Sequence, residues 1–341
     1  EENTRIRNQQ EKSMNKKIIL YVTCAALLFC NLASLSAEEE KPVEFSISVG
    51  AAYYPESSHT TSSGTSFQGL SGAYDSAELA VTPALSYTMP FLTSDNMLME
   101  NNYLILEAAL QISPVSLTPS ASVTISPIAF LELSAGGKTG TGWNLAGIQG
   151  MGEYSISKKE YEDISAFSHW YLYGYGSATL MFDFGEVWEG DWHHIVMTAT
   201  YEAGYQKLTG TSDVWQWQAN SYPMANGWIY TQDYFVGYKM PLKVSLVGLD
   251  LTLSGHYDTS DFDASNISKS YEGDFMTISI SPLAQIQLDS SGKNELFVYG
   301  CISSRRSFKE EWEDYDTEPL LTKNGREFYF DSFGIQWKHR F

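Results

Sequence analysis

Six histidines, three cysteines and 41 acidic residues against 21 basic ones are what this 341-residue chain offers for chemistry. His193-His194 is its adjacent histidine pair. A metal centre needs several His, Cys or carboxylate ligands converging on one ion. Neighbours in a strand point to opposite faces, so this pair cannot close on an ion together. No metal and no cofactor is expected. Ser168-His169 meets the same objection as a nucleophile and its base, which must lie within hydrogen-bond reach. Ser254-Gly255-His256 does put Ser254 and His256 on one strand face, but such a pair recurs by chance. No enzyme is expected.

The acids are more informative. Asp261-x-Asp263 with Glu272 and Asp274 could gather oxygens around calcium, yet the spacing matches no complete calcium loop. Lys309–Asn324 carries Glu310, Glu311, Glu313, Asp314, Asp316 and Glu318 against two lysines. Divalent cations at these acidic loops, bridging them to anionic lipid headgroups, are an expected partner. A net charge of −20 argues against nucleic acid, whose phosphates need clustered Lys and Arg.

A second set of acids sits in alternating segments. In Val247–Tyr257, Val247, Leu249, Leu251 and Leu253 oppose Gly248, Asp250, Thr252, Ser254 and His256. Met276–Leu288 repeats the pattern, with Leu283 the apolar exception on its polar face. Phe45–Tyr53 and Ile195–Tyr205 alternate likewise. Period 2 is the strand signature. The polar faces carry Ser, Thr, Gln and Gly with scattered acids, unlike the Lys/Glu load of a solvated surface. Aromatic residues cluster at segment ends, at Tyr53-Tyr54, Trp188, Trp192, Trp228, Tyr238, Trp337 and Phe341, as interfacial girdles do. The polar faces therefore predict lumen-lining positions at Glu78, Glu107, Glu132, Asp183, Glu202, Asp250, His256 and Glu295, with Arg306, Lys338 and Arg340 as basic counterparts.

These segments need an envelope to stand in. Met14-Asn15-Lys16-Lys17, the apolar run Ile18–Leu35 and Ser36-Ala37 read as a secretory signal peptide over residues 14–37, with 1–13 an upstream segment. The expected mature unit, 38–341, has 16 basic and 38 acidic residues, a net charge of −22, and one cysteine, Cys301. A lone thiol excludes an internal disulfide.

Eleven strand candidates lie near 43–54, 76–91, 102–112, 119–134, 166–184, 193–206, 226–240, 246–258, 274–288, 294–307 and 327–341. Short connections near Pro114–Thr118, Glu186–Asp191, Pro241–Ser245 and Ser290–Lys293 alternate with long ones near Gly136–Ile164, Lys207–Met224, Thr259–Gly273 and Lys309–Asn324. If all short turns are periplasmic, parity requires one more strand, placed near Ser66–Tyr74, for twelve in all. The alternative leaves Phe45–Tyr54 outside the wall, for ten.

The last strand, Phe333-Gly334-Ile335-Gln336-Trp337-Lys338-His339-Arg340-Phe341, puts Phe333, Ile335, Trp337 and Phe341 on one face. It resembles the C-terminal strand of bacterial outer-membrane β-barrel proteins, with His339 standing where an apolar or aromatic residue is usual. The resemblance implies a terminal aromatic read by the barrel-assembly machinery, outer-membrane lipid around the wall, and a bacterial outer-membrane location. The expected fold is all-β: a transmembrane antiparallel up-and-down barrel of about twelve strands, with short periplasmic turns and long outer loops. The expected function is a passive channel for ions or small solutes with cation preference. Two alternatives stand beside it. One is a closed structural or surface-interaction barrel displaying acidic loops. The other is a hydrophobic-ligand transporter with a lateral opening near Pro83, Pro127 or Pro282.

Overall fold

A computed structural model describes residues 42–341 except 62, 72–75, 189, 219–222, 266–270 and 312–314. The leader positions and Tyr74 lie outside the described residues. The strands are β1 (Val43–Tyr54), β2 (Gly64–Gln68), β3 (Ser76–Pro90), β4 (Tyr103–Ser113), β5 (Ser116–Ile128), β6 (Leu131–Gly142), β7 (Met151–Ser155), β8 (Glu160–Asp163), β9 (Tyr171–Asp183), β10 (Ile195–Leu208), β11 (Trp215–Trp217), β12 (Gly227–Lys239), β13 (Val244–His256), β14 (Thr277–Gln287), β15 (Asn294–Phe308) and β16 (Lys323–Arg340). Twelve of them pair antiparallel in the order β1-β3-β4-β5-β6-β9-β10-β12-β13-β14-β15-β16, and β16 returns to β1. The sheet is a closed up-and-down barrel.

Closure follows from the sequence. The twelve wall strands turn lipid-type residues outward and mostly polar ones inward. On β10, Ile195, Met197, Tyr201 and Tyr205 are exposed while Val196, Thr198, Glu202, Gln206 and Leu208 are buried. Leu79, Leu106, Leu180, Val236, Leu249 and Ile335 continue the exposed apolar surface around the wall. A surface this extensive is far beyond the few hundred Å² that a soluble monomer tolerates, so its solvent is hydrocarbon. Lipid cannot satisfy a sheet edge, and a closed ladder has none.

Aromatic rings mark both rims of this band. At one rim Phe45 packs on Phe341 at 5.1 Å, Phe184 stacks on Trp188 at 5.2 Å, and the Tyr238 hydroxyl donates to the Trp192 carbonyl. At the other, Tyr205 meets Trp228 at 5.5 Å and Tyr230 meets Tyr257 at 5.2 Å. Tyr238 faces Ile195 and Trp228 faces Tyr205 across the β10–β12 ladder. The ten residue steps between span about 34 Å along a strand. At a tilt of about 40° this is about 26 Å of membrane, the height of an outer-membrane apolar band.

Twelve strands is the expected count, but the twelfth lies elsewhere. The candidate at 119–134 is two strands, β5 and β6, joined by a turn at Ala129-Phe130. The stretch near Ser66 supplies only β2, which adds parallel to the upper part of β16, from Gly64 opposite Gly325 to Gln68 opposite Tyr329. The parity reasoning is corrected at Pro114-Val115 too. That short turn lies beside the long loops, where the Trp143 backbone and indole N–H groups donate to the Val115 and Pro114 carbonyls. The opposite, turn-side end holds 91–102, Ala129-Phe130, 184–194, 240–243, 288–293 and the terminus at Phe341. Tyr54 is no girdle residue: it points inward and donates to Glu78.

Proline breaks the ladder only locally. The β3–β4 register has no partners between Val81 and Ala84, around Pro83, and β14–β15 has none between Ile280 and Leu283, around Pro282. Pairing resumes on both sides of each gap, as expected where a residue lacks an N–H. Pro127 falls within the β5–β6 register shift between Ile125 and Ile128.

Candidate functional site

The interior divides along the barrel axis into three zones, each set by what the strands present inward. At the loop-side mouth, Tyr171 and Tyr173 of β9 and Leu208 of β10 point in and pack against Met151, Ile164, Trp215 and Trp217 from the loops. β7, β8 and β11 form a small sheet there, in the order β11-β7-β8. Tyr171 stacks on Trp217 at 5.0 Å. Trp217 lies so close over Gly140 that a Cβ there would stand 2.8 Å from the ring, so only glycine fits. A second aromatic cluster, including Tyr154, Tyr161, Phe262, Tyr271 and Phe308, ties the cap to the remaining loops.

Within this cap Glu318 is 4% exposed and accepts from the Tyr271 hydroxyl at 3.0 Å. Burial pushes its carboxyl up to about 7, against the opposing pull of the Arg306 charge and the Tyr271 hydrogen bond. Arg306 itself does not line the lumen, contrary to expectation. It lies on the opposite face of β15, over the Tyr271 ring at 3.9 Å, and donates to the Tyr271 and Glu272 carbonyls. Glu295 is an inward residue of β15, and an even-numbered Arg306 has the wrong parity to join it. Arg305 takes the inward position.

The middle zone is a belt of carboxylates and hydroxyls. Glu78 accepts from Tyr54 at 3.2 Å, Glu132 from Tyr103, and Glu202 from Tyr173 at 2.5 Å. Asp233 and Asp250 share Thr252, whose Oγ1 lies 2.8 Å from Asp233 Oδ1 and 3.0 Å from Asp250 Oδ2. All five acids are buried. Glu107 faces inward opposite Ser86 and Ser122. On the β15–β16 wall, Arg305 Nε lies 2.6 Å from Glu327 Oε1, His59 Nδ1 3.2 Å from the same oxygen, and the Thr60 hydroxyl donates to Oε2 at 3.0 Å. Glu327 has no measurable exposure.

The turn-side zone mixes charge with a small apolar core. Val196, Phe235 and Leu246 pack with Leu283, which explains the apolar exception on the β14 polar face. Asp183 meets His194 Nδ1 at 3.0 Å and Lys239 Nζ at 4.0 Å. Arg340 forks onto Glu295 through two nitrogens at 2.9 Å and reaches Glu44 at 3.6 Å. Lys338 sits opposite Glu295 in the β15–β16 register. His256, near the other end, pairs with Asp261 at 2.9 Å.

Ten of the eleven expected lumen positions thus face inward: Glu78, Glu107, Glu132, Asp183, Glu202, Asp250, His256, Glu295, Lys338 and Arg340. Sequence reasoning missed Asp233, Arg305, Glu327, Asp331, Lys138 and Lys239. Asp233 was legible, since Trp228, Tyr230, Tyr234, Val236 and Tyr238 alternate around it. Phe333, Ile335, Trp337 and Phe341 share the outward face, where His339 stacks on Trp337 and packs edge-on to Phe341.

Chemistry beyond charge is sparse. Ser168 Oγ lies 2.9 Å from His169 Nδ1, because both residues sit in a turn before β9 rather than in a strand. The hydroxyl proton goes to the Ser165 carbonyl at 2.6 Å, so Ser168 accepts from the ring instead of giving it a proton. Among the described residues, no group of three or more His, Cys, Asp or Glu could hold a metal ion.

No protein-family model and no curated protein matches the chain. Solved barrels resemble it at low identity. An outer membrane channel from Pseudomonas putida F1 is 9% identical, over 89% of this chain and 97% of that one, with a TM-score of 0.48. The KdgM porin is 9% identical over 86% and 98%, with a TM-score of 0.35. The β domain of the Bordetella autotransporter BrkA is 7% identical over 88% and 99%, with a TM-score of 0.42.

Proposed function

We propose that this chain is a bacterial outer-membrane channel with a narrow, cation-favouring interior and a folded cap over its loop-side mouth. The observation that carries the reading is the inward excess of acid. Glu78, Glu107, Glu132, Glu202, Asp233, Asp250 and Asp331 lie along the middle of the wall, and the bases concentrate on β15, β16 and the rims. Inward acids in a low-dielectric wall attract cations and repel anions. Export by the 14–37 leader and recognition of Phe333, Ile335, Trp337 and Phe341 by the barrel-assembly machinery would bring the chain there. Acidic loop residues such as Glu310 and Glu311 would meet divalent cations that bridge them to anionic lipid headgroups.

A closed barrel displaying its cap is the second reading. The burial of the interior carboxylates and the tight cap core favour it. Refolded protein in planar bilayers separates the two. Discrete conductance with reversal potentials on the cation side supports the channel. A folded barrel that conducts neither intact nor after cleavage of the 143–170 and 209–226 loops leaves the closed reading standing.

A further inference from the structure

The β10–β14 third of the wall holds a pair of acids whose surroundings are incomplete. Asp233 on β12 and Asp250 on β13 are 6% and 5% exposed. They meet the same hydroxyl, Thr252 Oγ1, at 2.8 and 3.0 Å. A hydroxyl has one hydrogen. It can satisfy one of the two carboxylates, and the other then faces oxygen lone pairs at hydrogen-bond distance. Asp250 Oδ1 is moreover buried without any hydrogen-bond partner. An orphaned buried carboxylate oxygen beside a second carboxylate calls for a positive centre.

The wall supplies none. The inward positions beside the pair are Thr198, Thr200 and Glu202 on β10, Thr231 and Phe235 on β12, Gly248 and Ser254 on β13, and Ser279 and Ser281 on β14. Glu202 adds a third negative charge, already engaged by Tyr173. The bases facing inward on these strands stand at the rims, Lys239 at one end and His256 at the other, each paired with an aspartate. Hydroxyl oxygens, by contrast, are plentiful: Thr200, Thr231, Thr252, Ser279 and Ser281.

We infer that Asp233, Thr252 and Asp250 form a binding site for a hydrated divalent cation of the magnesium class. Such an ion is held by one or two carboxylates, keeps several waters, and accepts hydroxyl and water oxygens for the rest of its shell. Two carboxylates balance its charge. The inference rests on the reading of the interior as accessible to cations, and its test is an equilibrium measurement that needs no conduction.

The probe is Mn²⁺ added to refolded, detergent-solubilised barrel, with free ion counted by its paramagnetic resonance signal and displaced by Mg²⁺. The wild-type barrel is expected to take up one Mn²⁺ that Mg²⁺ competes away. Asp250→Asn and Asp233→Asn should each weaken uptake more than about tenfold, the loss that even outer-shell partners cause. Thr252→Val keeps both charges and should weaken it less. Asp289→Asn, in an exposed turn, should leave it unchanged. Heat-modifiable migration on gels shows which variants are folded barrels. No uptake by wild type, or uptake equal in wild type, Asp250→Asn and Thr252→Val, overturns the site; a proton shared between the two aspartates would give the first result. Uptake lost in the variants without any bilayer conductance upholds the site and removes the channel reading. Cation-selective conductance with no Mn²⁺ uptake does the reverse.

Discussion

On β15 and β16, Glu327 and Glu295 each meet an arginine, whereas on β12 and β13, Asp233 and Asp250 meet only the hydroxyl of Thr252. Both walls are buried and both belong to one barrel. The difference lies in how the desolvation of charge is offset. An ion pair with good geometry recovers part of that cost, and losing one partner strands the other. The first wall therefore uses its acids to hold strands and the 55–61 segment together. The second leaves its acids without a cationic partner. On the proposed channel reading, stability rests on the first part of the sheet and charge selectivity on the second.

The sharpest way to break this contrast is Arg305→Met. It leaves Glu327 buried and charged and also removes donors to Ser57 and Ser58. Unfolding in urea from lipid vesicles should show a loss of about 3–5 kcal/mol. A loss under about 1 kcal/mol would mean the two walls are energetically alike.

Next in size is Glu318, an acid above the paired wall whose nearby cation, Arg306, donates to Tyr271 instead. Its carboxyl sits near 7 in the fold against an ordinary 4.5, so the fold favours the neutral form. That contribution is complete below about pH 4.5 and is lost as pH climbs through 7. The cap should resist protease in the 309–322 loop better at pH 5 than at pH 8. The difference is on the order of 2 kcal/mol, and Glu318→Gln should flatten it. An unchanged pH profile in that variant would clear Glu318 of the role.

Arg340→Gln tests the rim of the paired wall. Glu44 is part-exposed, but Glu295 is buried and loses its fork, with Lys338 opposite it in the ladder, so the loss should be about 1–2 kcal/mol in the same urea assay. Asp250→Asn is expected not to destabilise the barrel, because no cationic partner is stranded and one of two neighbouring buried acids is removed. Its effect should appear instead as a reversal potential moving toward zero across a salt gradient. A large destabilisation with unchanged selectivity would invert the comparison.

The strands were legible because lipid and lumen impose opposite demands on alternate residues. What misled was local. Within Ile125–Glu132 the turn signals, Ser126 and Pro127, lie ahead of the turn, and Ala129-Phe130 itself carries none, so it reads as continuing strand and two strands merge into one. On β16, Phe333, Ile335 and Trp337 assign odd positions outward, which would expose Glu327. A register shift opposite Cys301 and Ile302 leaves Asp331 as an extra residue and turns Glu327 inward. A bulge costs one residue and leaves no compositional trace. The cap was invisible because a three-residue strand such as Trp215–Trp217 is too short for periodicity. Its tryptophans are buried by loops distant in sequence.

The added strand β2 bears on how the molecule is made. β16 is 18 residues long, and β1 covers only its lower part, from Tyr53 opposite Phe333 to Ser46 opposite Arg340. β2 takes the upper edge, which would otherwise template a foreign strand. The edge of β16 that faces away from β15 is thus covered wholly by strands that lie before residue 69. β16 therefore closes the cylinder and pins the segment after β1 through the same edge. Without β16, both β15 and β1 present open edges, and the sheet is sticky along its whole height.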